Sequence, residues 1–230
     1  MIVGNGQIAK AFESHAELSQ FVIFASGVAN SKCAEQSEFE REKSLLLKHL
    51  TTLNGRKIVY FSSCALSADN YPLTPYYQHK KNMESLIKNH TDDFYIFRVP
   101  QLFGPLKKHP TLINYLYFAI KEKCTFTIYD GAYRYIIELS DLVSIVMNYI
   151  STQPSGICLD VANNYLYSVL EIVQELEKLL SVQANYNITQ LNDSYTIDLS
   201  LISQFISKSG LDISFGKSYL LRNLTKITKY

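Results

Sequence analysis

Short apolar runs separated by amphipathic stretches restrict the folds open to this chain more than any other feature. Phe21-Val22-Ile23-Phe24-Ala25 is apolar at every position. A strand with one wet face alternates, so a continuous run of this kind belongs to a strand covered on both faces. Lys57-Ile58-Val59-Tyr60-Phe61 and Phe94-Tyr95-Ile96-Phe97-Arg98 repeat the pattern. Phe39 to Leu50 and about Tyr77 to Asn89 read as the helices between them. Ile2-Val3 is a minimal first strand, with Ile8, Ala9, Ala11 and Phe12 at helical spacing behind it. This alternation predicts an α/β architecture, a parallel sheet covered by helices.

After Gly104-Pro105 the order loosens. A helix is expected from Leu112 to Lys121, then a strand Thr125 to Tyr129 that stops at the turn dipeptide Asp130-Gly131. Another helix starts near Asp141, and Gly156 to Val161 reads as one more strand. Ser168 to Leu180 is an amphipathic helix whose Ser168 and Glu171 have capping-box spacing. The expected division is a region 1–105 and a lobe 106–230 that returns strands to the sheet.

With 230 residues, 47% of them hydrophobic, the chain can bury one substantial core and a smaller lobe. Its 22 basic and 21 acidic residues leave a net charge of +1, so no broad field favours nucleic acid or an anionic membrane, and a small-molecule substrate is expected. Cys33, Cys64, Cys124 and Cys158 form no CxxC pair, and the five histidines show no ligand spacing. Neither a metal site nor a disulfide framework is therefore expected, and a reducing cytoplasm fits. No window approaches about eighteen uninterrupted apolar residues, and no basic segment leads into an apolar one, so neither a membrane span nor a signal peptide is expected.

Two short motifs carry chemistry. Gly4-Asn5-Gly6-Gln7-Ile8-Ala9 is a glycine turn between a strand and a helix, the geometry that offers backbone N–H groups to a pyrophosphate. A tight turn without a ligand has the same sequence, so the motif alone decides nothing. In Thr74-Pro75-Tyr76-Tyr77-Gln78-His79-Lys80-Lys81-Asn82-Met83-Glu84, a phenol and an ammonium lie one helical turn apart on one face, as proton transfer to a carbonyl or hydroxyl requires. Tyr77 and Lys81 share that spacing. Only the Tyr76 register places a glutamate, Glu84, four residues past the lysine.

Taken together these residues resemble the extended short-chain dehydrogenases/reductases that act on nucleotide sugars, over Met1 to about Val161. Gly4, Gly6, Gln7 and Ile8 resemble the family's cofactor turn, with Gly6 and Ala9 closer to its spacing than Gly4, which sits one place late. Ala25, Ser26 and Gly27 resemble a later cofactor-lining loop, and Ser62-Ser63 the catalytic serine segment. Tyr76, Lys80 and Glu84 match its Tyr-x-x-x-Lys-x-x-x-Glu helix. Arg98-Val99-Pro100-Gln101 running to Gly104-Pro105 resembles the strand and loop beside nicotinamide and substrate, and Arg134 with Asp141 matches a diphosphate-binding segment.

The resemblance implies a shortened Rossmann-like parallel sheet with a small C-terminal substrate lobe, using NAD or NADP on a nucleotide sugar. Ser63, Tyr76 and Lys80 would be catalytic, with Lys80 lowering the Tyr76 pKa and also bonding the nicotinamide ribose. Pro100 would line the cofactor, and Gln101 and Arg134 would hold substrate. A reduced adenosine pocket suits an exchanging cofactor, so 4-keto reduction is favoured. Epimerisation and a catalytically silent partner subunit are the alternatives.

The chain also departs from that pattern. Only a few residues around Ala16 to Gln20 separate the first helix from the strand at Phe21, where the family inserts two strands and at least one helix. The residue that selects NAD over NADP is lost with them. The first strand is left near a sheet edge, to be either covered or paired with a second copy in a homodimer. Its crossover is expected to be right-handed, which moves the first helix to the opposite face from its usual one. The family's asparagine before the serine strand has no counterpart among Glu40, Arg41, Glu42 and Lys43.

Overall fold

The structure is a computed structural model that describes residues 1–15, 18–69, 74–107 and 111–228. In chain order it contains β1 (Ile2–Val3), α1 (Gln7–Phe12), β2 (Phe21–Phe24), α2 (Gln36–Leu50), β3 (Lys57–Ser63), α3 (Pro75–His90), β4 (Phe94–Val99) and β5 (Gln101–Phe103). There follow α4 (Leu112–Lys121), β6 (Thr125–Arg134), β7 (Ile136–Glu138), α5 (Leu139–Thr152), β8 (Ile157–Asp160), β9 (Tyr167–Ser168), α6 (Val169–Leu180), β10 (Asn185–Asp193), α7 (Ser200–Ser209) and α8 (Tyr219–Thr228). Ala16 and Glu17, part of the shortened connection, lie outside the described residues.

The apolar runs form one parallel sheet in the order β1-β2-β3-β4-β8. Both faces are covered, which is why the strands do not alternate with polar residues. Val22, Phe24, Ile58, Tyr60 and Ile96 face α2 and α3. Ile23, Val59, Phe61, Tyr95 and Phe97 face the other way, onto α5 and the end of α1. β1 pairs with β2 alone among the described strands and is the expected edge.

Its crossover departs from expectation. The chain moves across the sheet in one direction from β1 to β4, yet α1 packs on the face opposite α2 and α3. The first connection therefore has the opposite hand to the next two and is not the right-handed unit that parallel strands usually form. The cause is Phe12, fully buried, whose ring centroid lies 5.8 Å from that of Phe61 on the α5 face. Burying one phenylalanine contributes about 1.5–3 kcal/mol, and a six-residue helix has little else with which to choose a face.

β5 to β7 and α4, α6 and α8 enclose a second core around Phe103, Ile120, Ile136, Ile172 and Leu220. α6 starts at the expected capping box: Ser168 Oγ accepts from Glu171 N–H at 3.0 Å, and Glu171 Oε2 accepts from Ser168 N–H at 2.8 Å. Asp130-Gly131 does not end its strand. β6 runs on to Arg134 beside β10, whose register shifts between Thr189 and Asn192. β10 passes close to Gly131 at that irregularity: a Cβ there would lie 3.0 Å from Asn192 Cα and from the Leu191 carbonyl oxygen.

At the β4–β8 seam Arg98 donates to both oxygens of Glu84, at 2.9 and 2.6 Å, and to Ser67 Oγ at 2.8 Å. Ser67 donates in turn to Asp160 Oδ2 at 2.5 Å, and Asp160 Oδ1 is buried with no hydrogen bond among the described residues. Burial raises the Asp160 pKa to about 6 against the opposing pull of Ser67 and Arg98. The folded state thus holds this proton more tightly than the unfolded chain. Stability contributed by protonation is present below the ordinary value of 3.8 and declines as pH rises to about 6. Asp160→Asn is expected to stabilise the fold by about 2 kcal/mol at about pH 8 and by little at about pH 4. Urea unfolding at the two pH values measures the difference.

Candidate active site

The carboxyl ends of β1 to β4 all open toward one edge of the sheet, the side on which parallel α/β sheets bind ligands. Gly4 follows β1 with φ +123°, and a Cβ on it would lie 2.5 Å from the Ala25 carbonyl oxygen. The glycine turn therefore rests directly on the end of β2. Gly6 is the N-cap of α1, with no side-chain capping bond and nothing within 4 Å of its missing Cβ. The space in front of that turn is open. Arg41 reaches the same corner from α2, donating to Ser26 O at 3.2 Å and Ser26 Oγ at 3.3 Å.

Thr74 caps α3, accepting from Tyr77 N–H at 3.4 Å, and Pro75 occupies its first turn. This start places Tyr76, Lys80 and Glu84 on the buried face of the helix, whereas Lys81 is exposed. The Tyr76 ring packs with Val28 and Phe39. Its phenol makes no hydrogen bond among the described residues, and Tyr77, Glu42 and Cys64 are the titrating groups that add to its raised pKa. Cys64 follows Ser63 directly, and Ser63 is paired with Val99, the residue before Pro100. Ser63 and Pro100 thus lie at the ends of β3 and β4, and Tyr76 packs against Val28 in the loop after β2.

Lys80 is not available as expected. Its ammonium, buried beneath Gly27, donates to Glu42 Oε1 at 3.1 Å, Glu42 Oε2 at 3.4 Å and Tyr60 Oη at 3.1 Å. These contacts account for the three N–H groups of an ammonium. Glu42, fully buried, also accepts from Val28 N–H at 2.6 Å and from the Tyr60 hydroxyl at 2.6 Å, with His79 Nε2 2.9 Å away. Burial opposes the carboxylate, but Lys80, His79, Tyr60 and the Val28 amide outweigh it and hold the Glu42 pKa at about 2. A Cβ at Gly27 would lie 2.5 Å from Lys80 Nζ and 3.0 Å from Glu42 Oε1, so the loop sits directly over the pair.

The expectation that Lys80 lowers the Tyr76 pKa is reversed. Burial first, then Tyr77, Glu42 and Cys64, push the phenol well above its ordinary value. Lys80, paired with Glu42 at 3.1 Å, is not among the groups that move the phenol, and Glu42 itself adds to the rise. Glu84, which singled out the Tyr76 register, serves as the carboxylate for Arg98.

Arg134 lies at the end of β6, donating to the Asp193 carboxylate and, at 2.8 Å, to the Asp193 carbonyl. Both charges are felt by Tyr77, so this pair borders the tyrosine side of the site. Asp141, seven residues on, accepts from the Tyr219 hydroxyl at 2.6 Å and anchors α8. The Gln101 backbone N–H bonds the Tyr135 carbonyl at 3.2 Å. Tyr195, in the link from β10 to α7, brings its hydroxyl to 3.1 Å from Cys64 Sγ and walls the site from the C-terminal side. Among the described residues no group of three or more side chains could hold a metal, and no helix is long and apolar enough to cross a membrane.

Glu42, Tyr60, His79 and Tyr195 were not among the predicted site residues. Glu42 had a readable signal: with Phe39, Leu46 and Leu50 it occupies the core-facing stripe of α2, where a carboxylate needs a buried partner.

No protein-family profile matches the chain, and no curated protein does. Solved structures do. UDP-glucuronic acid 4-epimerase from Bacillus cereus, in complex with UDP-glucuronic acid and NAD, superposes with a TM-score of 0.74 at 16% identity, covering 98% of this chain and 79% of that one. MoeE5 in complex with UDP-glucuronic acid and NAD gives 0.73 at 19% identity, covering 91% and 79%. dTDP-4-dehydrorhamnose reductase from Bacillus anthracis, in complex with NADP, gives 0.71 at 15% identity, covering 90% and 79%. The chain has the Rossmann-like α/β fold of these proteins in a shorter form.

Proposed function

We propose that this chain is an NAD(P)-dependent oxidoreductase that reduces the 4-keto group of a nucleotide-activated sugar. One observation carries this reading: Tyr76 is buried against Val28 in the loop after β2, Cys64, the residue after Ser63, acts on its phenol, and Lys80 on the same helix is paired with Glu42. A phenol whose pKa lies above its ordinary value is fully protonated near neutral pH. It is ready to give a proton to an alkoxide forming on a reduced carbonyl. An epimerase must first take a proton from an alcohol and would need the phenolate, so reduction is the better match.

The dinucleotide fits the glycine turn, because α1 begins without a capping side chain and the Gly6 side is open. Gly4, Gly6, Gln7 and Ile8 would take its pyrophosphate, and Ala25, Ser26, Gly27 and Pro100 would line the remainder. When bound it supplies the hydride. Tyr76 then protonates the sugar oxygen, and Ser63 shares a hydrogen bond with that oxygen. Arg134, helped by Gln101, would exchange Asp193 for the substrate diphosphate, for which a guanidinium fork is well shaped. In this reading residues 1–105 serve the cofactor and 106–230 the sugar nucleotide. The nucleotide sugars and NAD or NADP in similar structures support it.

A silent partner subunit is the second reading, favoured by the commitment of every Lys80 donor inside the protein. The test is NADPH and NADH consumption against a panel of 4-keto sugar nucleotides. Consumption is expected with at least one of them. NAD retained through purification, with no reduced cofactor consumed, counts against reduction, and a chain that binds neither cofactor favours the silent subunit.

A further inference from the structure

Among the described strands the longest open edge belongs to β10, which pairs with β6 on one side and with no strand on the other, whereas the edge strand β1 has two residues. Such an edge offers a row of N–H and C=O groups to any strand laid against it, and proteins commonly deter this with lysine, proline or a bulge. β10 contains neither lysine nor proline, and its only charged side chain, Asp193 at its end, is tied to Arg134. Its bulge lies between Thr189 and Asn192 and leaves residues 185–189 in regular register. Ile188 and Leu191 of β10 and Tyr129 and Tyr133 of β6 are exposed around this edge, a concentration of apolar surface that marks an interaction site. We propose that β10 is the seam of a homodimer, in which residues 185–189 pair antiparallel with the same segment of a second copy about a two-fold axis at Asn187.

The segment is complementary to itself. With Asn187 at the axis, Tyr186 stands opposite Ile188 of the partner subunit, and the two-fold repeats this aromatic and β-branched pair, a combination that stabilises antiparallel strands. Tyr186 and Ile188 are registered with Phe126 and Ile128, both buried, and the Tyr186 ring centroid lies 6.1 Å from that of Phe126. Pairing therefore extends the apolar layer of the second core across the seam and covers Ile188, which is 58% exposed. Charge also favours a second copy. Residues 185–192 carry no charged side chain and the whole chain has a net charge of +1, so two copies meet without repulsion. A partner selected by its charge finds nothing on this segment to pair with. The seam does not depend on the oxidoreductase reading.

Sedimentation velocity of the full chain between about 1 and 100 μM tests the seam by mass action. The wild type should shift from the chain mass toward twice that mass as its concentration rises. Ile188→Lys removes both cross-strand pairs and brings two cations to the seam, and it should raise the dissociation constant at least about tenfold. Its melting temperature should not change, because the side chain is exposed in the single chain. A wild type that stays monomeric throughout overturns the inference and leaves the edge to a strand of another protein. A dimer that forms equally well in Ile188→Lys also overturns it, by placing the contact elsewhere. If Ile188→Lys does not fold, hydrogen exchange of the wild type decides: the backbone N–H groups of residues 185–189 should exchange more slowly at about 100 μM than at about 1 μM, and equal rates overturn the inference.

Discussion

Replacing Tyr76 by phenylalanine is expected to lower kcat/KM for ketone reduction by about a thousandfold, within the range removed with a general acid. Affinity for NADPH should change little, because the lost atom is the phenol oxygen and not the packing surface. The variant is structurally mild for the same reason. The ring sits against Val28 and Phe39, and its hydroxyl has no hydrogen-bond partner among the described residues, so phenylalanine keeps the contacts and orphans nothing. Steady-state kinetics together with a thermal melt separates the two effects. A loss of turnover with an unchanged melting temperature assigns Tyr76 to chemistry, whereas full activity in the variant removes it from the reaction.

The second large effect concerns stability. Lys80→Met leaves Glu42 buried without its cation, and breaking a buried ion pair from one side costs about 3–5 kcal/mol. For a chain of this length that lowers Tm by about 10 °C. Adding Glu42→Gln removes the stranded charge while preserving an oxygen for the Val28 amide and the Tyr60 hydroxyl. The double variant should therefore be more stable than Lys80→Met alone, with a coupling of about 2 kcal/mol in the double-mutant cycle. Denaturant unfolding of the four proteins measures it. Additive losses would mean that the 3.1 Å contact carries no net interaction.

These two residues also mark how far the sequence could be read. The parallel sheet was legible because Phe21 to Ala25 and its two counterparts are apolar without alternation, a property that only double-sided burial explains. The α6 capping box was legible because both partners lie within one turn of each other. The functions of Lys80 and Arg134 were not, since each is decided by a carboxylate remote in sequence: Glu42, 38 residues before Lys80, and Asp193, 59 residues after Arg134. β10 escaped notice because nearly all its residues are exposed and its pairing with β6 lies beyond the core. The hand of the first crossover was misjudged because a general rule for parallel strands was applied to a six-residue helix governed by a single phenylalanine.

The central claim is that a neutral phenol at the carboxyl edge of this sheet completes a hydride transfer to a sugar carbonyl. It is tested most directly by incubating the protein with a 4-keto sugar nucleotide and NADPH deuterated at its transferable position, followed by mass and NMR analysis of the sugar. Deuterium bonded to C4 of a 4-hydroxy product, formed by the wild type and not by Tyr76→Phe, is the expected result. Unreduced sugar nucleotide across the panel, from a protein that gives no heat on titration with NADPH or NADH, would contradict it.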